Sequence, residues 1–207
     1  MSSTDREPRT VREAALTLAE IQQTLGRFRP RKRWWRRWVK RSAVAMLVRD
    51  GSVGPEVLMI KRADREGDPW SGHMAFPGGR METDDRHSRA TAERETREEI
   101  GVDPELVGHC IGRLSDILSR PHSGRRPMVI TPYVYSVQVM PEPKPNHEVA
   151  EVIWVPLAYL GNRMNREQMV WERGRLKLNL PCYLYKGRRI WGLSLVMLDE
   201  LIGLFRL

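Results

Sequence analysis

Between residues 76 and 102 a glycine-rich loop leads into a helix with an acidic face, and this pairing restricts the chain more than any other feature. Phe76-Pro77-Gly78-Gly79 is a loop whose glycines allow backbone to approach a phosphate or a metal closely. From Ser88 to Ile100 turn residues disappear and good helix formers take over, with Gly101 where a C-terminal cap belongs. On that helix Glu95, Glu98 and Glu99 stand at i, i+3 and i+4, so their carboxylates share one face. Three like charges repel, and a hard cation such as Mg²⁺ converts the repulsion into binding. The plainer alternative is a solvated face neutralised by Arg94 and Arg97; the loop ahead of the helix favours the metal reading.

Gly79, Asp85, Arg94, Glu95, Thr96, Glu98, Glu99, Gly101 and Val102 resemble the Nudix box, G-x5-E-x7-R-E-U-x-E-E-x-G-U with U bulky and apolar. Asp85 replaces the usual first Glu, eight residues rather than seven separate it from Arg94, and Thr96 is a polar version of U. The resemblance implies an α/β fold, the Nudix α/β/α sandwich with a mixed sheet. It implies Mg²⁺ or Mn²⁺ held by Glu95, Glu98 and Glu99 with the Gly78 carbonyl as a further ligand, and Arg94 orienting the glutamates. The reaction implied is metal-assisted hydrolysis of a nucleotide diphosphate, in which metal ions neutralise the diphosphate and lower the pKa of bound water. A carboxylate must take the water's proton. Glu98 within the box and Glu148 and Glu151 downstream are the candidates, and the sequence leaves the choice open.

The flanks are similar to the coenzyme A diphosphatase branch of that family. Leu58, Arg62-Ala63, Gly72 and Phe76-Pro77-Gly78-Gly79 follow the branch signature, as do Asn146 to Val152, Val155-Pro156-Leu157 and Ile190 to Ser194. Met59-Ile60 replace a Leu-Thr pair, the Arg62 to Gly72 spacing is one residue longer, and Arg65 is close to the place of a second arginine. The resemblance implies coenzyme A or acyl-CoA as substrate, cleaved to 3′,5′-ADP and (acyl-)4′-phosphopantetheine, with Arg62, Arg65 and Gly79 as substrate contacts. His73, beside the loop, reads either as a phosphate donor or as a structural residue. Other substrates within the family are ADP-ribose, NADH, a dinucleoside polyphosphate or an RNA cap, and a non-catalytic nucleotide-binding module is the rival outside enzymology.

The rest of the chain reads as one body, 42–207, preceded by an N-terminal helix and basic arm, 1–41. Thr10-Val11-Arg12-Glu13 has capping-box spacing, and a helix is expected from there through Leu25, ending at Gly26. Ser42 to Val48 and Glu56 to Ile60 read as a strand pair, Val107 to Ile117, Val129 to Val139 and Val149 to Val155 as strands. Gly192 to Phe205 reads as a closing helix built on Leu193, Val196, Met197, Leu201 and Leu204, with Trp191 as core packing at its start. His122, Arg125 and Arg126 sit in an insertion and read as phosphate contacts or as solvated loop. Cys110 and Cys182 are too few for a disulfide framework and read as reduced, buried thiols.

The net charge of +9 equals the nine cations at Arg27, Arg29, Arg31, Lys32, Arg33, Arg36, Arg37, Lys40 and Arg41, so the body is balanced and the basicity belongs to one segment. With Trp34, Trp35 and Trp38 embedded, 27–41 has the composition of a segment for an anionic membrane surface or RNA, or of a linker whose tryptophans pack on the body. No apolar run reaches a membrane span, and Met1 to Pro8 does not read as a signal peptide. The expected location is cytoplasmic, with peripheral membrane contact through the arm, and the sequence carries no signal of oligomeric state.

Overall fold

The computed structural model describes residues 16–66, 70–119, 127–173 and 176–205. The chain runs α1 (Leu18–Arg27), β1 (Lys40–Gly51), β2 (Gly54–Arg62), β3 (Met74–Ala75), β4 (Gly78–Arg80), α2 (Ser88–Ile100), α3 (Pro104–Val107), β5 (Gly108–Arg113), β6 (Ile117–Ser119), β7 (Met128–Val137), β8 (Val149–Pro156), α4 (Leu157–Gly161), β9 (Arg166–Arg173), β10 (Leu176–Tyr185), β11 (Arg188–Trp191) and α5 (Gly192–Gly203). Eight strands form a mixed sheet in the order β3-β2-β1-β7-β5, with β4 against β1, β6 against β7 and β8 against β2; β9, β10 and β11 form a second, antiparallel sheet.

The centre of the large sheet is β1, parallel to β7 and antiparallel to β2 and β4. Its residues Ser42 to Val48 are all buried, as expected of a strand covered on both faces. Alternation divides the core in two. Val44, Met46 and Val48 face a cluster that holds Ile21 and Leu25 of α1 and Leu195, Leu198 and Leu201 of α5. Ala43, Ala45 and Leu47 face a second cluster with Ala92 and Ile100 of α2. Helices therefore lie on both faces of a mixed sheet, the α/β/α sandwich expected from the sequence. None of the described helices is long and apolar enough to cross a membrane.

Several boundaries differ from expectation. Thr10 to Glu13 lies outside the described residues, and the helix that is described begins at Leu18. Thr17 is extended and opens the helix itself, its hydroxyl accepting from Glu20 N–H at 3.3 Å while Glu20 accepts from Thr17 N–H at 2.8 Å. The second Thr-x-x-Glu is thus the working capping box. The strand expected over Val107 to Ile117 breaks at Leu114 to Asp116 because that backbone turns to other partners: Ser115 N–H donates to Glu200 and Asp116 N–H to the Arg31 carbonyl. In α5 the buried residues are Leu195, Met197, Leu198 and Leu201, while Val196 is exposed. The hairpin of β10 and β11, missed in the sequence, turns at Lys186-Gly187, both with positive φ as a tight hairpin turn requires. Cys182 is buried and Cys110 half-buried, both as free thiols.

Residues of the basic arm are bonded to the body. The Asp116 side chain, fully buried, accepts from Arg33 N–H at 2.8 Å, Arg36 at 3.2 Å and Thr131 Oγ1 at 2.9 Å, and pairs with Arg113. Arg36 reaches on to Ser88 Oγ at 3.1 Å, and Arg31 N–H donates to Ser115 Oγ at 2.9 Å. Removing one carboxylate strands several donors at once, which is expensive inside a protein. Asp116→Ala should therefore cost about 3 kcal/mol and lower Tm by roughly 6 to 12 °C. Urea and thermal unfolding measure this; a loss below about 1 kcal/mol would mean that the cluster is peripheral to stability.

Candidate active site

The acidic helix is positioned from both ends. His87 Nδ1 accepts from Ala90 N–H at 3.0 Å, and Gly101, left-handed at φ 68°, closes the helix by donating to the Arg97 carbonyl at 3.0 Å. Thr91, Ala92, Thr96, Glu99 and Ile100 form its buried side. Thr96, polar where an apolar residue is usual, satisfies its hydroxyl by donating to the Ala92 carbonyl at 2.6 Å. Ala43, Ala45 and Ala92, all fully buried, let α2 sit close on β1.

The glycine loop enters the same space as strand β4. Gly78 and Gly79 pair with Val44 and Ala43 of β1, and Ser42 Oγ donates to the Gly79 carbonyl at 2.5 Å. Gly78 has φ 151°, and a Cβ there would stand 2.3 Å from the Ala43 carbonyl oxygen. A Cβ at Gly79 would stand 2.3 Å from Glu95 Oε1. Gly78 therefore excludes a side chain because of the sheet backbone, whereas a side chain at Gly79 would displace the Glu95 carboxylate.

Glu99, only 3% exposed, accepts from Gly78 N–H at 2.9 Å. Burial, reinforced by the charges of Glu95 and Glu148, pushes its carboxyl up to about 8 against the pull of the Gly78 N–H and Arg62. Burial also raises Glu95. Arg94 is the hub beside them: Nε and Nη2 clasp Asp85 at 3.1 Å, Nη2 also reaches Glu95 Oε1 and the Arg80 carbonyl at 3.1 Å, and Nη1 reaches Glu98 Oε2 at 2.9 Å. Burial alone would raise Asp85, yet the Arg94 bond, with those from Glu82 N–H and Thr91, holds it below the usual carboxylate range. The displaced aspartate thus meets the arginine despite the extra residue between them.

The remaining predicted residues divide. Arg62 ends β2 close enough to Glu99 for its charge to be felt, and its N–H donates to the His73 carbonyl at 3.0 Å. Arg65 pairs with Glu148 at 2.9 Å, both about two-fifths exposed. The His73 ring packs edge-to-face on Trp191 at 4.9 Å. Glu151 is taken by Arg188, which donates from Nε at 2.8 Å. His122, Arg125 and Arg126 lie outside the described residues. Among the described residues no three His, Cys, Asp or Glu side chains form a preformed cluster that could hold a metal, since Glu98, half exposed, turns to Arg94. Glu95 and Glu99 nonetheless supply hard oxygen donors, partly desolvated and mutually repelling, of the kind that suits Mg²⁺ or Mn²⁺.

Beneath the helix lies a polar contact that sequence reasoning missed. Buried Glu93 accepts from Tyr135 Oη at 2.7 Å and pairs with Arg89 at 3.1 Å. Its signal was periodicity: Glu93 falls three residues before Thr96 and seven before Ile100, on the face turned to the sheet.

Comparison with known proteins agrees with this geometry. The NUDIX domain family matches residues 39–178. The uncharacterized protein C14C4.10c of Schizosaccharomyces pombe is 38% identical over 109 residues, covering 51% of this chain and 33% of that protein. Mitochondrial coenzyme A diphosphatase NUDT8 of Mus musculus is 30% identical over 147 residues, covering 70% of this chain and 68% of that one. This chain thus spans a third of the first relative's length and about two thirds of the second's. A crystal structure of a NUDIX hydrolase from Alicyclobacillus acidocaldarius shares the fold, with TM-score 0.53 and 18% identity over 80% of this chain and 91% of the other. The chain belongs to the NUDIX family.

Proposed function

We propose that this protein is a divalent-metal-dependent hydrolase that cleaves the diphosphate bond of a nucleotide derivative, with coenzyme A or acyl-CoA as its substrate. The observation that carries the hydrolase reading is the junction of β4 and α2. There a buried glutamate, Glu99, is held on the Gly78 N–H while Glu95 lies against Gly79. The coenzyme A reading is supported by the flanking sequence segments and by the relationship to NUDT8.

In this reading Glu95, Glu99 and Glu98, the last exchanging Arg94 for the ion, hold Mg²⁺ or Mn²⁺ together with the Gly78 carbonyl. The bound ion supplies charge neutralisation of the diphosphate and acidification of a water. Arg94 keeps Glu95 oriented through its clasp on Asp85. Arg62 and Arg65 bind substrate phosphate, with the Gly79 backbone and His73 at the edge of the loop. Glu148 is the favoured general base. All three candidates carry an arginine, Glu98 Arg94, Glu151 Arg188 and Glu148 Arg65, but Glu148 alone of Glu148 and Glu151 is close enough for its charge to act on Glu99, and its partner Arg65 is the one assigned here to substrate phosphate.

The substrate is tested with Mg²⁺ and a panel of coenzyme A, acyl-CoA, ADP-ribose and NADH. The expected outcome is highest kcat/KM for the CoA compounds, with 3′,5′-ADP as product; were they the poorest substrates, the coenzyme A reading would fail while the hydrolase reading stood. Glu148→Gln should lower kcat by about 10² to 10⁴ with KM little changed, the usual range for loss of a general base. An unchanged kcat removes Glu148 from that role.

Glu99→Gln separates binding of the ion from folding. A carboxyl raised in the folded state holds its proton more tightly there than in the unfolded chain. The native state therefore loses stability as pH rises from about 4.5 to about 8. In chelator at pH 7, Glu99→Gln should stabilise the fold by about 2 kcal/mol, roughly 4 to 8 °C in Tm, whereas with Mg²⁺ present its activity should be at least about a hundredfold below wild type. Added Mg²⁺ should raise the Tm of the wild type and not of the variant. A variant less stable than wild type in chelator contradicts the assignment.

A further inference from the structure

We propose that the segment 27–41 is a docking surface for an anionic lipid bilayer. Its core is a 3-10 turn, Trp34–Trp38, held to the body from one side by Arg36 on Asp116 and Ser88. Trp34 is 77% and Trp38 55% exposed. The two indoles touch edge-to-face at 5.4 Å, and the Arg37 guanidinium lies 4.2 Å from the Trp38 ring centre.

In the same segment Arg27, Arg29, Arg31, Lys32, Arg33, Arg37 and Lys40 are exposed. Among the described residues no carboxylate lies within ion-pair distance of any of them. A turn bonded to the body thus presents exposed amphipathic indoles within a segment of exposed cations that make no ion pairs among the described residues. The complement of that surface is a negatively charged layer into which an indole can insert.

A nucleic acid would satisfy the charge but not the rings. Stacking a base needs an open aromatic face, and the Trp38 face is taken by the Arg37 guanidinium and the neighbouring indole, which leaves one ring, Trp34, where a strand would need successive platforms. Headgroup insertion makes no such demand, since the indole enters by its amphipathic edge and the guanidinium stays with the phosphates.

The test is co-sedimentation of the full chain with vesicles of phosphatidylcholine alone or with about 30% phosphatidylserine. Anionic vesicles should bind at least tenfold more tightly than neutral ones, and most binding should vanish between about 0.05 and about 0.5 M salt. Brominated lipid should quench tryptophan fluorescence of the wild type, and Trp34→Ala/Trp38→Ala should lose most of that quenching. Arg37→Glu should weaken vesicle binding by roughly fivefold or more, because each cation near such a surface contributes about that factor. Both variants replace exposed side chains, and circular dichroism with turnover of a soluble substrate verifies their fold. Equal binding to neutral and anionic vesicles, no binding to either, or quenching unchanged in the double variant would overturn the proposal. So would a polyuridine strand that displaces the protein from vesicles at equal phosphate, since it would assign the surface to RNA instead.

Discussion

The contact on which the site depends is the close approach of Gly78 to β1. Strand β4 runs so near that a methyl group at residue 78 would overlap the Ala43 carbonyl oxygen. That closeness leaves the Gly78 N–H free of the sheet and aimed at Glu99. The adjacent Gly79 is needed for a different reason, because Glu95 occupies the volume a side chain would take. The two consecutive glycines thus answer to different partners, Gly78 to the backbone of β1 and Gly79 to the carboxylate of Glu95. Small residues at Ala43, Ala45 and Ala92 set the helix-to-sheet distance that makes both possible.

Burying a carboxylate beside two others opposes folding, and the surroundings show how the cost is contained. Glu99 keeps one N–H donor and lies within reach of Arg62. Glu95 keeps Arg94, whose remaining donors are divided among Asp85, Glu98 and a carbonyl. Arg94 consequently cannot neutralise the three helix glutamates fully, and Asp85, held low by that same arginine, claims its best-aligned fork. The result is a cluster with excess negative charge on a rigid frame, a state that oxygen-seeking cations stabilise. Beneath it the Glu93 to Tyr135 bond fixes the helix face against the sheet without drawing on the same donors.

Much of this was legible in the sequence because it rests on spacing along one segment. The i, i+3, i+4 glutamates, the cap at Gly101 and the paired glycines all act within 25 residues, and β1 announced itself as a short apolar run, which the structure shows buried on both faces. What was not legible depends on partners far away. Glu148 and Glu151 look alike as letters; they are distinguished by Arg65 and Arg188, 83 and 37 residues away. The strand break at Leu114 to Asp116 is another case, since it exists to bind Arg31, Arg36 and Glu200, separated from it by more than 75 residues. The start of α1 is marked by the capping box at Thr17 and Glu20, while Ile21 and Leu25 turn its buried side to the core.

The basic segment shows the same dependence on distant partners, and it links the two halves of the structure. Composition describes nine equivalent cations, but burial sorts them. Arg36 turns inward to Asp116, Thr131 and the first residue of α2, while most of the others stay in water. One inward guanidinium therefore ties the arm to β7 and to the start of the acidic helix. Because Asp116 also takes a backbone N–H from Arg33, the turn carrying Trp34 and Trp38 is fixed in orientation. The outward charge then has a defined direction relative to α2. Anything the arm binds through its exposed face is held in a fixed relation to the glutamates, even though no residue of the arm touches them.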